Sequence, residues 1–348
     1  NAKVAQRSTS AVASVGYQSV DRYQLDFGGG TDENPSQEQG TVAAGTTPYT
    51  EGFRKTVKIT NGNQTTSPAS NTDLYFQILY KLEGQDIANS GWNYLSTSSN
   101  ITLSFWVKSS VAQEFYFRLQ TSDGTSYNYP MSTGSLSANT WTKVTKTIPG
   151  NSNLQFDDDN GQGLNIEWVI YRGTNKTGSD ATLNTWKVYD SSQRVPDVTT
   201  SFYTTNDATF EITGVQLEVG DHATDFEHRS FGQELALCQR YFEFIKFNYY
   251  YFTGYYEGAG SPRIPLQWNV EKRATPTVIL PTIGLSSGQL QVTNSNGAYD
   301  TSSTTLAATH ITPIFCRLHG SGYGGSSGTV CSIYLAGTDS GIKIDAEL

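Results

Sequence analysis

NITLSFWVKSS (100–110), EFYFRLQTS (114–122) and GLNIEWVIYRG (163–173) alternate apolar and polar positions residue by residue. Successive side chains of an extended strand point to opposite faces, so a period of two is the mark of a strand and not of a helix. In the first run Ile101, Leu103, Phe105 and Val107 share one face, and Thr102, Ser104, Trp106 and Lys108 the other. The second run sets Phe115, Phe117 and Leu119 against Tyr116, Arg118 and Gln120. The third sets Leu164, Ile166, Trp168 and Ile170 against Asn165, Glu167, Val169 and Tyr171. One-faced strands need a second sheet to cover them, which predicts a β-sandwich or jelly roll.

Working outward, the same alternation predicts strands at 21–27, 53–60, 73–84, 140–150 and 208–219. Segments 28–50, 61–72 and 187–207 are rich in Gly, Ser, Thr and Asn and read as surface loops. After residue 228 the period changes. Ser230 followed three residues later by Gln233 has the form of a capping box, and Phe231, Leu235, Cys238 and Phe242 recur at helical spacing beside a second stripe of Leu237 and Tyr241. This predicts one short helix running to about Glu243. A helix of about twelve residues is marginal alone in water, so its two apolar stripes need cover, from the rest of its own chain or from a symmetry mate. From 244 onward, strand-like runs predict a second β domain, with RATPTVILP (273–281) suited to an edge strand because proline cannot donate to a ladder. The expected organisation is a domain at 1–228, a linking helix at 229–243 and a β domain at 244–348.

Composition excludes several functions. The net charge of -9 contains no basic stripe, so no nucleic-acid footprint is expected. No apolar run approaches the roughly twenty residues that span a bilayer, so no membrane insertion is expected. The first residue is Asn and the single Met is Met131, so further residues are expected upstream. Three cysteines are an odd number; Cys316 and Cys331 could face each other across neighbouring strands, but buried reduced thiols fit a chain of 348 residues better. No G-x-S-x-G, H-E-x-x-H, P-loop or Cys/His metal spacing occurs, so no catalytic residue is assigned. His228 is expected to cap the helix or bond backbone near its start. Asp157 and Asp159, in DDDNG (157–161), could hold a structural calcium ion, but a glycine-containing turn explains them without one. No other cofactor is expected.

The candidate binding residues are the outward members of the three runs. Trp106, Lys108, Tyr116, Arg118, Glu167 and Tyr171 would share one face of one sheet if their strands are neighbours. Flat rings beside charged hydrogen-bonding groups suit sugars. The alternative is a sheet face covered by a loop or by another subunit. A second aromatic cluster, Tyr249, Tyr250, Tyr251, Tyr255 and Tyr256, is either a binding surface or a subunit contact.

GVQLEVGDHATDFEHRSFGQELALCQRYFE (214–243), taken with the strand runs above and the terminal IDAEL, closely resembles tail-fibre, head-fibre and related appendage proteins of tailed bacteriophages, especially of marine and cyanobacterial phages. The resemblance covers nearly the whole chain and is most specific from Val215 to Tyr241. It implies an all-β, homotrimeric protein: a carbohydrate-binding-module-like jelly roll, one short joint helix and a C-terminal β-sandwich-like tip. It also implies a non-enzymatic virion surface component, made in the host bacterial cytoplasm, whose partners are other tail or capsid proteins and host cell-surface polysaccharide. The joint residues are then Phe231, Leu235, Leu237, Cys238, Tyr241 and Phe242.

Overall fold

The computed structural model describes residues 2–246, 249–283, 289–293, 299–300, 306–335 and 341–348. The chain divides into two compact units, Asn1–Glu234 with Leu348, and Leu235–Glu347.

The strands of the first unit are β1 (Tyr23–Gly28), β2 (Ser36–Thr41), β3 (Lys55–Thr60), β4 (Tyr75–Glu83), β5 (Asn100–Ser109), β6 (Glu114–Thr121), β7 (Tyr127–Ser135), β8 (Thr142–Pro149), β9 (Gln162–Arg172), β10 (Lys187–Val188) and β11 (Thr209–Val219). They form a jelly-roll sandwich of a six-stranded sheet, β1-β4-β9-β6-β7-β10, and a five-stranded sheet, β2-β3-β11-β5-β8. The apolar faces read from alternation meet between the sheets. Phe105 of β5 lies 5.0 Å from Phe117 of β6 and 5.7 Å from Trp168 of β9, both ring pairs at 90°, the edge-to-face geometry that aromatic quadrupoles prefer. All three rings are fully buried.

The polar stretch 28–50 is not all loop: it contains β2 and a four-residue helix, α1 (Thr47–Thr50). SQEQGT carries no apolar period because β2 is the last strand of its sheet, laddered to β3 on one side and bridged on the other to the N-terminal segment at Val12 and Thr9. Two further short helices are α2 (Gly84–Ala88) and α3 (Ser201–Thr204), the latter with β10 inside the segment read as the loop 187–207.

The helix expected near residue 230 is α4 (Phe231–Gln239). Its capping box is made: Gln233 N donates to Ser230 Oγ at 3.3 Å, and Ser230 N donates to Gln233 Oε1 at 3.0 Å. The helix ends four residues earlier than its apolar stripes suggest. Phe242 and Glu243 open β12 (Phe242–Lys246), because Glu243 accepts from the buried ammonium of Lys272 at 2.6 Å and its strand pairs in the second unit. His228 does not cap the helix. Its Nε2 bonds the Glu51 carbonyl at 2.7 Å, and its ring packs 5.2 Å from Phe53 and 5.0 Å from Phe226.

The second unit continues with β13 (Tyr249–Gly258), β14 (Ser261–Gln267), β15 (Thr277–Ile279), β16 (Leu290–Thr293), β17 (Tyr299–Asp300), β18 (Leu306–Thr309), β19 (Phe315–Gly320), β20 (Val330–Leu335) and β21 (Gly341–Asp345). Among the described residues these make a three-stranded sheet, β12-β21-β15, and a seven-stranded sheet, β17-β16-β20-β13-β14-β19-β18. Ile245, Ile342 and Ile344 of the first pack with Tyr256, Ile264, Leu318 and Ile333 of the second in one sandwich-like core. The proline-flanked β15 is an edge strand, as its sequence predicts. Cys316 and Cys331 lie on strands separated by β13 and β14, so they do not face each other; both are buried thiols, and burial pushes Cys316 up to about 12.

Candidate functional site

The six candidate binding residues do not share a face. Trp106 and Lys108 lie on β5 of the five-stranded sheet, whereas Tyr116, Arg118, Glu167 and Tyr171 lie on β6 and β9 of the six-stranded sheet. β5 pairs with β11 and β8, and β6 with β7 and β9, so the condition of neighbouring strands fails. Trp106 is itself buried. It packs with Val42 and Phe53 on the outer side of its sheet, and its Nε1 donates to Glu51 Oε2 at 2.9 Å. Lys108 pairs with Glu211 at 2.8 Å and stands 5.0 Å over the Trp141 ring.

Tyr171 points into the core. The register between β4 and β9 shifts between Phe76 and Gln77, and this bulge breaks the strict alternation so that Ile170 and Tyr171 both join the interior. The Tyr171 ring stacks on Tyr203 at 4.6 Å, and burial, with Tyr203 beside it, pushes its hydroxyl up to about 12. Tyr116 is half-buried and donates to Glu114 Oε2 at 3.3 Å.

Arg118 and Glu167 are cross-strand neighbours on the outer side of the six-stranded sheet. Arg118 Nε and Nη2 reach the two carboxylate oxygens at 2.8 and 2.7 Å, the fork geometry that makes such bonds strong. Arg172 donates from Nη2 to the same carboxylate and to Gln77. Burial alone would push Glu167 up, but attraction to Arg118 and then Arg172, with their hydrogen bonds, outweighs it and holds the carboxyl down at about 2. Burial likewise drags Arg172 down to about 10 against the opposing pull of Glu167. The attraction is one quantity felt at both ends; what remains is the cost of drying Arg172, whose Nε and Nη1 have no partner. Asp26, bonded by Gln77 at 2.8 Å, is raised by burial.

A strap, residues 174–200, covers this network. It is tied down where Asn175 N donates to Thr72 O (3.0 Å), Asn184 N to Pro130 O (2.8 Å) and Tyr189 N to Ser126 O (2.8 Å), and where β10 pairs with β7. Trp186 anchors it, with its ring 5.0 Å from Tyr129 and Nε1 donating to Pro149 O at 2.8 Å. Asn128 joins strap and network: Arg118 Nη1 donates to its Oδ1 at 3.1 Å, and its Nδ2 donates to Arg194 O at 2.8 Å. The Tyr189 ring lies 5.3 Å from the Arg118 guanidinium and 5.5 Å from that of Arg194.

Between strap and β7 lies a pocket of about 240 Å³. Asn128 and Pro130 line it from β7; Asp180, Ala181, Thr182, Lys187, Val188, Asp190 and Gln193 line it from the strap. The Ser192 hydroxyl and amide, at 2.7 and 2.8 Å, hold Asp190 below the usual carboxylate range. None of these nine residues belongs to the six candidates. They fall in or beside a polar segment without period; the available signal was Trp186 with Tyr189, large aromatics in a polar run, which mark a loop pinned to the body.

DDDNG forms a bend between strands of different sheets, closed by a side-chain bond. Gly161 N donates to Asp159 Oδ1 at 2.8 Å and Asp157 N to Asp123 Oδ2 at 3.0 Å. No cluster of three metal-ligating side chains occurs among the described residues. Of the tyrosine cluster, Tyr256 is fully buried and Tyr255 is 53% exposed, as alternation on β13 requires. The side chains of Tyr249, Tyr250 and Tyr251 lie outside the described residues. In α4 and after it, Phe231 is 58% and Leu237 50% exposed, Leu235 is half-buried, and Cys238, Tyr241 and Phe242 are buried. No helix among the described residues is long and apolar enough to cross a membrane.

No family model matches the chain, and no curated protein matches it. Similar solved structures include the enzymatically active domain of tailspike protein 4 of bacteriophage CBA120, at 8% identity and TM-score 0.30 over 57% of this chain and 19% of that one. They also include a family 11 carbohydrate-binding module from Clostridium thermocellum in complex with a mixed-linked tetrasaccharide, at 13% identity and TM-score 0.27 over 57% and 88%. A third is a carbohydrate-binding module of family 4, at 11% identity and TM-score 0.24 over 47% and 84%. The chain spans only 19% of the tailspike domain's length. At such scores these likenesses do not extend to function.

Proposed function

We propose that the chain is a non-enzymatic structural appendage of a phage particle, a tail or head fibre, which adheres to host-surface glycans through the strap pocket of its jelly roll. The observation that carries this reading is the pocket itself: hydrogen-bonding side chains beside a small apolar patch of Pro130, Ala181 and Val188, held on a pinned strap. Such mixtures match sugar hydroxyls and C–H faces together.

Phe231 and Leu237 remain half or more exposed on one chain, which supports assembly with further copies and, with the sequence resemblance, a homotrimer. Three linked weak sites raise avidity without new contacts. The test is glycan-array binding by the purified full chain, with its mass in solution. Glycan retention by the native protein, lost in Asp180→Ala and Gln193→Ala variants that keep their fold, supports the reading. An intact trimer that retains no glycan makes it a decoration or spacer, release of reducing ends makes it a degrading spike, and a monomer at micromolar concentration removes the trimer.

A further inference from the structure

Resting on that carbohydrate reading, we infer that the strap pocket takes a single neutral sugar ring and rejects anionic sugars. At about 240 Å³ it falls below the roughly 300–1,000 Å³ of drug-sized sites, which suits one ring better than a long segment of chain. Its charged lining is two carboxylates, Asp180 and Asp190, against one ammonium, Lys187. That ammonium already donates to the Asp180 carbonyl at 2.7 Å. The arginines behind the pocket are engaged as well: Arg118 by Glu167 and Asn128, and Arg194 through Nε by Ser191 O at 3.1 Å.

A uronic acid, sialic acid or sulfated sugar would therefore meet two like charges against the single ammonium of Lys187, one of whose donors is already held by the Asp180 carbonyl. A neutral ring meets the reverse. Hydroxyls are donors, carboxylates are acceptors only, and charge-assisted bonds of this kind are the stronger class. Asp190 Oδ1 is occupied by Ser192, which leaves Asp180 as the main acceptor and Asp190 as a second. Pro130 and Val188 offer the C–H face an apolar surface.

The test uses matched oligosaccharides that differ only at C6, terminated in glucose or glucuronic acid and in galactose or galacturonic acid. They are titrated calorimetrically into the full chain and into the isosteric double variant Asp180→Asn, Asp190→Asn. The neutral member of the preferred pair is expected to bind at least about tenfold more tightly to the native protein. The double variant is expected to lose roughly 10–100-fold for that sugar, and less for the acidic one, so that the discrimination narrows. A native protein that holds the uronate as tightly as or more tightly than the hexose overturns the inference and leaves the carbohydrate reading standing. A folded protein that binds no sugar of either kind removes both.

Discussion

Replacing Glu167 by Gln keeps the side chain's volume and one acceptor while removing the charge that two buried guanidiniums share. The magnitude follows from the carboxyl, held at about 2 in the folded chain against 4.5 when free. At 1.36 kcal/mol per pH unit that is about 3 kcal/mol, within the ~3–5 kcal/mol expected when one partner of a buried pair is deleted. Arg172 makes the loss worse, because two of its nitrogens already lack partners. Thermal unfolding of the variant is expected at about 6–12 °C below the native first unit, a shift typical of ~3 kcal/mol in a domain of this size. Because Asn128 links Arg118 to the strap, limited proteolysis within 174–200 should speed up as well. The depressed carboxyl also fixes the pH dependence. Its stabilisation is complete above about 4.5 and is lost as pH falls toward 2, so acid narrows the gap between native and variant. A variant within about 1 kcal/mol of native at pH 7, or a gap that stays constant down to pH 2, would falsify the view of Glu167 as the charge that closes this face.

Other outcomes follow from single contacts. Gly214 has φ of +62°, and a Cβ there would sit 2.6 Å from Phe53 Cζ; Gly214→Ala should cost about 2–4 kcal/mol in thermal unfolding, partly restored by Phe53→Leu. Trp106→Ala should destabilise by about 3–5 kcal/mol yet leave glycan affinity of the remaining folded protein unchanged, since Trp106 packs on the outer side of the five-stranded sheet and the pocket lies on β7 of the other sheet. Ser230→Ala should cost about 1 kcal/mol through loss of the α4 cap, read as lost helicity and a lower melting temperature. Cys316, pushed up to about 12 by burial, should stay unreactive toward a thiol reagent at pH 8 until the second unit unfolds.

The core-facing residues were legible because strand geometry enforces a period of two: Ile101, Leu103, Phe105, Phe117, Leu119, Leu164, Ile166 and Trp168 all lie in the one core cluster. The capping box was legible because it is local. The edge strand β2 was not, since the residues it buries, Gln37 and Gly40, are not apolar and leave no hydrophobic pattern. The single shared face expected of the six candidates failed for a related reason. Alternation says which residues leave the core but not what lies over them, and here both outer faces are covered, by loops over Trp106 and by the strap over Arg118 and Glu167.

By itself, then, the sequence determined local matters: strand or helix, inward or outward, cap or turn. Which strands became neighbours was decided by tertiary structure, because pairing joins residues far apart in the chain, and this parted β5 from β6. Tertiary structure alone also turned Tyr171 inward at a bulge, buried the charged triad and shaped a pocket from a segment with no period. Each of those depends on what packs against the segment, a property of the folded neighbourhood that no run of adjacent residues encodes.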